Sequence, residues 1–330
     1  MPDLSQAWPG IPAPMVRFSF DTAEGIQSTL DTAGDAAQSI ERLGLVLLIG
    51  ASVIFLLVIG LLLYGVWSAP KGVAQRRWVI GGGLVFPIAV LSGLLTYTLV
   101  ISNELTSRTQ RNSPEIRIVG KRWWWEVRYR QANGMGEIAS ANELHLPVGR
   151  PVELALSSAD VIHSFWAPSL TGKMDMIPGR VNRLTLEATR PGVFRGQCAE
   201  YCGAQHALMA FYVIAEPEPA FQRWLAQEAT PAIEPADSFL RRGLDAFLRE
   251  GCGACHTIRG TRAKGLHGPD LTHVGSRRSL AAGTLDNHVG TMAGWIADSQ
   301  RIKPGNLMPS MNVFVGQELR AVASYLESLK

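Results

Sequence analysis

Two long apolar runs make the first division of the chain. Residues 43–67 carry no charge, and neither do residues 78–101. As a helix rising about 1.5 Å per residue, each run is long enough to cross a hydrocarbon layer roughly 30 Å thick. Segment 43–101 therefore reads as two transmembrane helices rather than a pair of buried core helices. Trp67 and Trp78 stand where aromatic belts lie, with Tyr64 a turn inside. The connecting stretch 68–77 holds Lys71, Arg76 and Arg77 and no acid, whereas the residues before Leu43 hold Arg17 and Arg42 against six acids. Positive charge favours the cytoplasmic side, so the loop is expected inside and both ends of the chain outside. Pro87 and Gly81–Gly83 in the second run are read as a kink and close helix packing. The outer segment 1–42 lacks a basic stretch followed by a short apolar one, and the first span is expected to act as its own insertion signal.

After the membrane the period changes. Over 102–216, short β-rich runs alternate with turn residues, at 115–119, 123–130, 143–148, 151–157, 183–187 and 210–214. Leu144, Leu146 and Val148 share one face while His145 points to the other. That pattern predicts an antiparallel sandwich or barrel. A Pro/Glu/Ala-rich linker, 217–236, is broken by a short helical run at 221–228. From 237 to 330 the period is helical. Asp237 or Ser238 caps a helix with Phe239, Leu240, Leu244, Phe247 and Leu248 on one stripe, and a last helix from about residue 316 repeats the pattern with Leu319, Val322, Leu326 and Leu329.

A hydrophobic share of 47% excludes wholesale disorder, and a net charge of +3 from 31 basic and 28 acidic residues is too balanced to point to nucleic acid. Four cysteines in two tight pairs, 198/202 and 252/255, suggest ligand chemistry rather than a disulfide scaffold.

The string CAEYCGAQHALM (198–209) places Cys198, Glu200, Cys202, His206 and Met209 on one turn-rich loop, and His163 in DVIHSFW reaches in from an earlier strand. Two thiolates, two imidazoles and a thioether suit copper better than zinc, magnesium or calcium, and two thiolates can bridge a pair of copper ions. A Cys198–Cys202 disulfide and a Cys/Cys/His/His zinc site are the alternatives. The second pair lies in Cys252-Gly253-Ala254-Cys255-His256, the C-x-x-C-H string that attaches c-type haem, for which a plain redox disulfide is the alternative. PGNLMP (304–309) then presents Met308 on a rigid loop as the sixth iron ligand, ahead of Met292, Met311, His267, His273 and His288.

These strings carry a resemblance. C-x-E-x-C-x3-H-x2-M, with the histidine of HSFW upstream and two preceding spans, is similar to cytochrome oxidase subunit II across residues 40–215. It implies a cupredoxin-like barrel with a dinuclear copper (CuA) centre, bridged by Cys198 and Cys202. His163 and Met209 would complete one ion, and His206 with the Glu200 backbone carbonyl the other. The family also uses this glutamate's carboxylate for a magnesium ion shared with the catalytic subunit. Trp123, in the run Trp123–Trp124–Trp125, is similar in position to the family's electron-entry tryptophan. Residues 237–330 resemble a class I cytochrome c domain, in which Pro269 of GPDL accepts a hydrogen bond from the iron-ligating histidine; Trp295 either touches a haem propionate or packs in the core. Unlike many relatives, 43–101 contains no Asp or Glu.

The fused arrangement resembles the caa-type haem-copper oxidases. The expected architecture is thus a two-helix transmembrane hairpin, an all-β cupredoxin-like barrel and an all-α cytochrome c domain. It implies an electron-transfer subunit of a cytochrome c oxidase in a bacterial plasma (inner) membrane, with its N-terminus and both metal domains on the outer (periplasmic) side. Electrons would run from a soluble or membrane cytochrome donor through haem c and the copper pair to subunit I, where O2 is reduced. Membrane lipid and other oxidase subunits complete the expected partners. A CuA-type nitric oxide reductase subunit and a membrane-tethered electron carrier without a catalytic partner are the rival readings.

Overall fold

The computed structural model describes residues 27–68, 75–107, 114–130, 136–314 and 316–330. Arg17 and Lys71, on which the charge reading of topology draws, lie outside them.

The first apolar run is part of a single 34-residue helix, α1 (Asp35–Ser68), which starts eight residues before the uncharged run. Asp35 sits at its positive N-terminal end, and the following Ala, Gln, Glu and Arg residues are good helix formers. This extra part lies outside the apolar run and rests on the β domain. Ala33 N donates to Ser169 O at 2.7 Å, Thr189 N donates to Ala33 O at 2.8 Å, and Ala37 is buried. The second run divides into α2 (Gln75–Ile80), a π-helical turn (Gly81–Val85) and α3 (Phe86–Ser107). Pro87 accounts for the break. It has no N–H to give the preceding turn and its ring crowds the carbonyl four residues back, so a wider turn forms and Phe86 N donates to Gly81 O. Both stretches are long and apolar enough to cross a membrane, and their side chains, such as Leu56 and Leu91, point outward without protein cover.

Ten strands follow: β1 (Glu115–Lys121), β2 (Trp124–Arg130), β3 (Glu137–Ala141), β4 (Glu143–Pro147), β5 (Val152–Ser158), β6 (His163–Trp166), β7 (Met174–Met176), β8 (Asn182–Leu186), β9 (Gly192–Cys198) and β10 (Ala210–Glu216). They form two five-stranded sheets ordered β3-β2-β1-β5-β8 and β4-β10-β9-β6-β7. The purely antiparallel pairing that alternation predicts is corrected: β1 pairs with β5, and β10 with β4, in parallel. The chain leaves the first sheet after β3, adds β4 to the second and returns as β5, and such a crossover brings strands together in the same direction. Four strands (β3, β6, β7, β9) lie outside the alternating runs. β6 and β7 are short, and β9 contains Gly192 and Gly196, which dilute a strand pattern. The core between the sheets is aromatic: the Trp125 ring meets Phe165 at 6.2 Å and Phe211 at 5.0 Å, both edge-on.

Helix α4 (Glu218–Glu228), the run expected in the linker, closes one end of this core through Phe221. Its Trp224 stacks on His145 at 3.8 Å, and His145 Nδ1 lies 2.9 Å from Glu216 Oε1.

The C-terminal domain holds α5 (Ser238–Arg249), α6 (Val289–Ala297), α7 (Ser299–Ile302) and α8 (Gln317–Ser328). Asp237 is the cap of α5, its carboxylate accepting from Phe239 N and Leu240 N. Phe247, Val322 and Leu326 are buried where α5 and α8 pack.

His145 supplies a pH test of the β4–β10 edge. Burial lowers its pKa, but hydrogen bonds and charge from Glu143 and Glu216 outweigh burial and leave it raised above 6.5. A raised folded-state pKa stabilises fully below the unfolded value and is lost as pH rises through the folded one. His145→Gln is therefore expected to cost thermal stability at about pH 5.5 and to approach the parent protein by about pH 9. Thermal unfolding of both proteins at the two pH values checks this.

Candidate metal centres

The loop after β9 folds back on itself, with Cys198 N donating to Met209 O at 2.9 Å and His206 N to Gly203 O at 3.1 Å. This closure collects the candidate ligands. Cys198 Sγ lies 3.8 Å from both Cys202 Sγ and His163 Nδ1. Cys202 Sγ lies 3.6 Å from His206 Nδ1 and 3.8 Å from Met209 Sδ. Ligand atoms of His163, Cys198 and Cys202 fall within 4.8 Å of one another, all three residues being buried. The two cysteines are unbridged, their sulfurs 3.8 Å apart. The Glu200 carbonyl points inward, accepting from Cys198 Sγ at 3.2 Å. Its carboxylate points outward, 3.6 Å from Lys173 Nζ.

Electrostatics of the cluster favour a bound cation. The Cys198 thiol is held well below the usual thiol range, chiefly by its hydrogen bond with Cys202 and also by His163, against burial. Cys202 is pushed far up by the same hydrogen bond and by burial, because one buried thiolate opposes a second. A pair of soft ligands that cannot both ionise alone is a fitting seat for a thiophilic metal, which deprotonates both.

His163 depends on two residues that no motif singled out. Its Nε2 lies 2.8 Å from Asp160 Oδ1, leaving Nδ1 for the cluster. Asp160 also accepts from the Arg122 and Val161 amides at 2.7 Å. An acid three residues before a candidate histidine was a visible signal. Gly120 was not, yet a Cβ there would lie 2.8 Å from the His163 ring.

In the C-terminal domain a cavity of about 340 Å³ is lined by Cys252, Cys255, His256, Trp295, Met308 and, from the β domain, Trp123. His256 Nδ1 donates to Pro269 O at 2.9 Å, which leaves Nε2 as the free ring nitrogen. Burial holds the His256 pKa below 6.5, favouring the neutral, ligating form. Gly268 allows this approach, since a Cβ there would lie 2.5 Å from the imidazole. Burial raises the Cys252 thiol to about 11, which disfavours a free redox thiolate. Met308 is held by α7, its carbonyl accepting from Ser299 Oγ and Gln300 Nε2, both at 2.7 Å. Met292, Met311 and His267 line the same cavity. His273 and His288 are engaged elsewhere, His273 with Thr230 O and His288 as the cap of α6. Arg277 also lines the cavity, and its buried Nε has no hydrogen-bond partner among the described residues. An apolar slot with an imidazole, thioethers, two edge thiols and an unmet cationic donor fits a haem with its anionic propionates.

The three tryptophans part company. Trp125 fills the core, Trp124 lies under Lys121 Nζ at 4.8 Å, and Trp123 donates from Nε1 to Cys202 O at 2.9 Å.

Comparison with known proteins agrees with this division. The family model described as cytochrome C oxidase subunit II, periplasmic domain, matches residues 131–216, and the one described as cytochrome c matches 240–330. Cytochrome c oxidase subunit 2 of Alkalihalophilus pseudofirmus is 36% identical over 219 residues, covering 66% of this chain and 62% of that protein. That of Bacillus sp. (strain PS3) is 30% identical over 260 residues, covering 75% and 71%. That of Branchiostoma floridae is 32% identical over 171 residues, covering 46% and 71%. Among solved structures, the periplasmic domain of subunit II of cytochrome oxidase of Bradyrhizobium japonicum is 32% identical. It covers 36% of this chain and 95% of that one, with a TM-score of 0.34. A subunit II domain joined to a cytochrome c domain implies copper and haem binding, a membrane protein with a periplasmic domain, and a subunit I as partner. The chain belongs to the cytochrome c oxidase subunit 2 family, the electron-transfer subunits of terminal oxidases.

Proposed function

We propose that this chain is the electron-input subunit of a haem-copper oxidase, holding a dinuclear copper centre and one covalent haem. When bound, these groups supply one-electron redox chemistry between an external cytochrome donor and the catalytic subunit that reduces O2. The observation that carries the reading is the convergence of Cys198, Cys202, His163, His206 and Met209 on one buried point, with the Glu200 carbonyl beside it. Cys198, Cys202, His163, His206, Met209 and the Glu200 carbonyl would hold the copper pair. The Glu200 carboxylate, turned outward beside Lys173 Nζ, would serve a magnesium ion shared with the catalytic subunit.

Cys252 and Cys255 would hold the haem covalently, and His256 and Met308 would ligate its iron. Pro269 orients the imidazole, and Trp295 lies on the cavity wall. Both sites use only protein ligands, as carriers that bind no substrate require. Trp123, between the cavity and the Cys202 carbonyl, is the electron entry to the copper loop.

The domains on this reading are an outer segment 1–42, a two-pass membrane hairpin 43–101, a copper domain 102–216, a linker 217–236 and a haem domain 237–330. Both ends of the chain and both metal domains face the periplasm, and lipid covers the bare apolar helices.

The oxidase complex matured with copper and haem is expected to hold two coppers and one covalent haem in this chain. Cys198→Ser should remove the copper pair and leave the haem, as read by metal analysis and haem absorbance. Zinc or no metal at the parent loop would refute the assignment. Met308→His should lower the haem midpoint potential by on the order of 0.1 V or more, while Met292→Leu and Met311→Leu leave it near the parent value. Redox titration of the Soret band distinguishes them.

A further inference from the structure

Lys303 follows α7, five residues before Met308, and is only 2% exposed. Its Nζ donates to the Trp123 carbonyl at 2.8 Å and to the Ala281 carbonyl at 2.9 Å. Among the described residues no carboxylate pairs with it. Removing an amine from water without a counter-ion is costly, and such a group persists where its hydrogen bonds are specific. Burial pulls its pKa down to about 7, against the opposing charge of nearby Cys202. Two carbonyl acceptors match the two N–H groups of a neutral amine.

This contact joins the two metal domains. Lys303 belongs to the stretch that presents Met308, and Trp123 is the residue whose indole holds the Cys202 carbonyl at 2.9 Å. One side chain and one indole thus connect the haem loop to the copper loop. Three further bonds surround them: Gln205 Nε2 to Pro304 O at 2.7 Å, Ala210 N to Ala282 O at 3.0 Å, and Arg278 N to Glu143 Oε1. Each has a backbone group on one side, and none is an exposed ion pair. Docking through rim charges would be steered and weakened by salt. A desolvated set of directional bonds instead fixes one orientation.

We propose that Lys303 is a positioning residue that clamps the Met308 loop onto Trp123. It holds the haem domain in a fixed seat on the copper loop instead of leaving it to swing on the residues 229–237 between α4 and α5. The proposal rests on the electron-relay reading above.

The test uses the intact detergent-solubilised oxidase, with Lys303→Met, which keeps length and loses the donors, and Lys303→Gln, which keeps a neutral NH2. After flash reduction of the haem, its reoxidation by copper is followed across ionic strength and glycerol viscosity. The parent rate should be flat in both. In Lys303→Met it should fall about tenfold or more and become viscosity-dependent, with Lys303→Gln recovering much of the loss. Haem potential, copper spectrum and cofactor content should be unchanged in both variants. Hydrogen exchange gives a readout independent of electron flow: the Ala210 and Arg278 amides should lose protection in Lys303→Met alone.

A parent rate that falls with viscosity, or a Lys303→Met protein with parental rate and protection, overturns the clamp. So does a shifted haem potential in Lys303→Met, which would mean that the lysine only supports its own domain. A parent complex that passes no electrons from haem to copper would instead overturn the relay reading, and the exchange measurement would still decide the clamp.

Discussion

The arrangement turns on one hydrogen bond, from the Trp123 indole to the Cys202 carbonyl. Cys202 touches Cys198, His206 and Met209 through its sulfur, so a bond to its backbone fixes the middle of the ligand cluster. The same tryptophan accepts Lys303 on its own carbonyl and lines the haem cavity. A buried N–H must find a partner, and the carbonyl of a tightly turned loop is an acceptor with little freedom. The constraint is therefore mutual: the loop seats the indole and the indole seats the loop.

Burial governs the chemistry on both sides of this bond. At the copper loop it brings two thiols, an imidazole and a thioether into a medium where only one thiolate is tolerated without a metal. At the haem cavity it lowers the His256 pKa, favouring the neutral ring, while the Pro269 carbonyl accepts a hydrogen bond from Nδ1. In both places a histidine has one ring nitrogen occupied, by Asp160 at one and Pro269 at the other, which leaves the second nitrogen for the cluster or the cavity.

The membrane part obeys a simpler rule. In a bilayer every backbone polar group must be satisfied internally, and Pro87 lacks the N–H that would serve the carbonyl four residues back. The π-helical turn over Gly81–Val85 absorbs the break while the helix continues. Helix α1 needs no such adjustment and runs on past the apolar segment until it rests on the β domain. The start of α1 is thereby tied to the β domain by backbone hydrogen bonds, Asp35 N donating to Glu187 O at 3.4 Å.

Much of this was legible in the residues themselves, because the signals are local. Uncharged runs mark the two long apolar helices, alternation marks β1, β4 and β10, and C-x-x-C-H and the CAEYCGAQHALM string bring their candidate residues within a dozen positions. The tertiary structure decided what depends on residues far apart meeting. It made β1–β5 and β4–β10 parallel, drew His163 to Cys198 over Gly120, and divided three consecutive tryptophans among the core, the cavity wall beside Lys121 and the contact with Cys202. It also buried Lys303, which in sequence is one more basic residue beside a proline. Periodicity reports which face of an element is apolar, but not which distant backbone carbonyl will stand opposite a given amine.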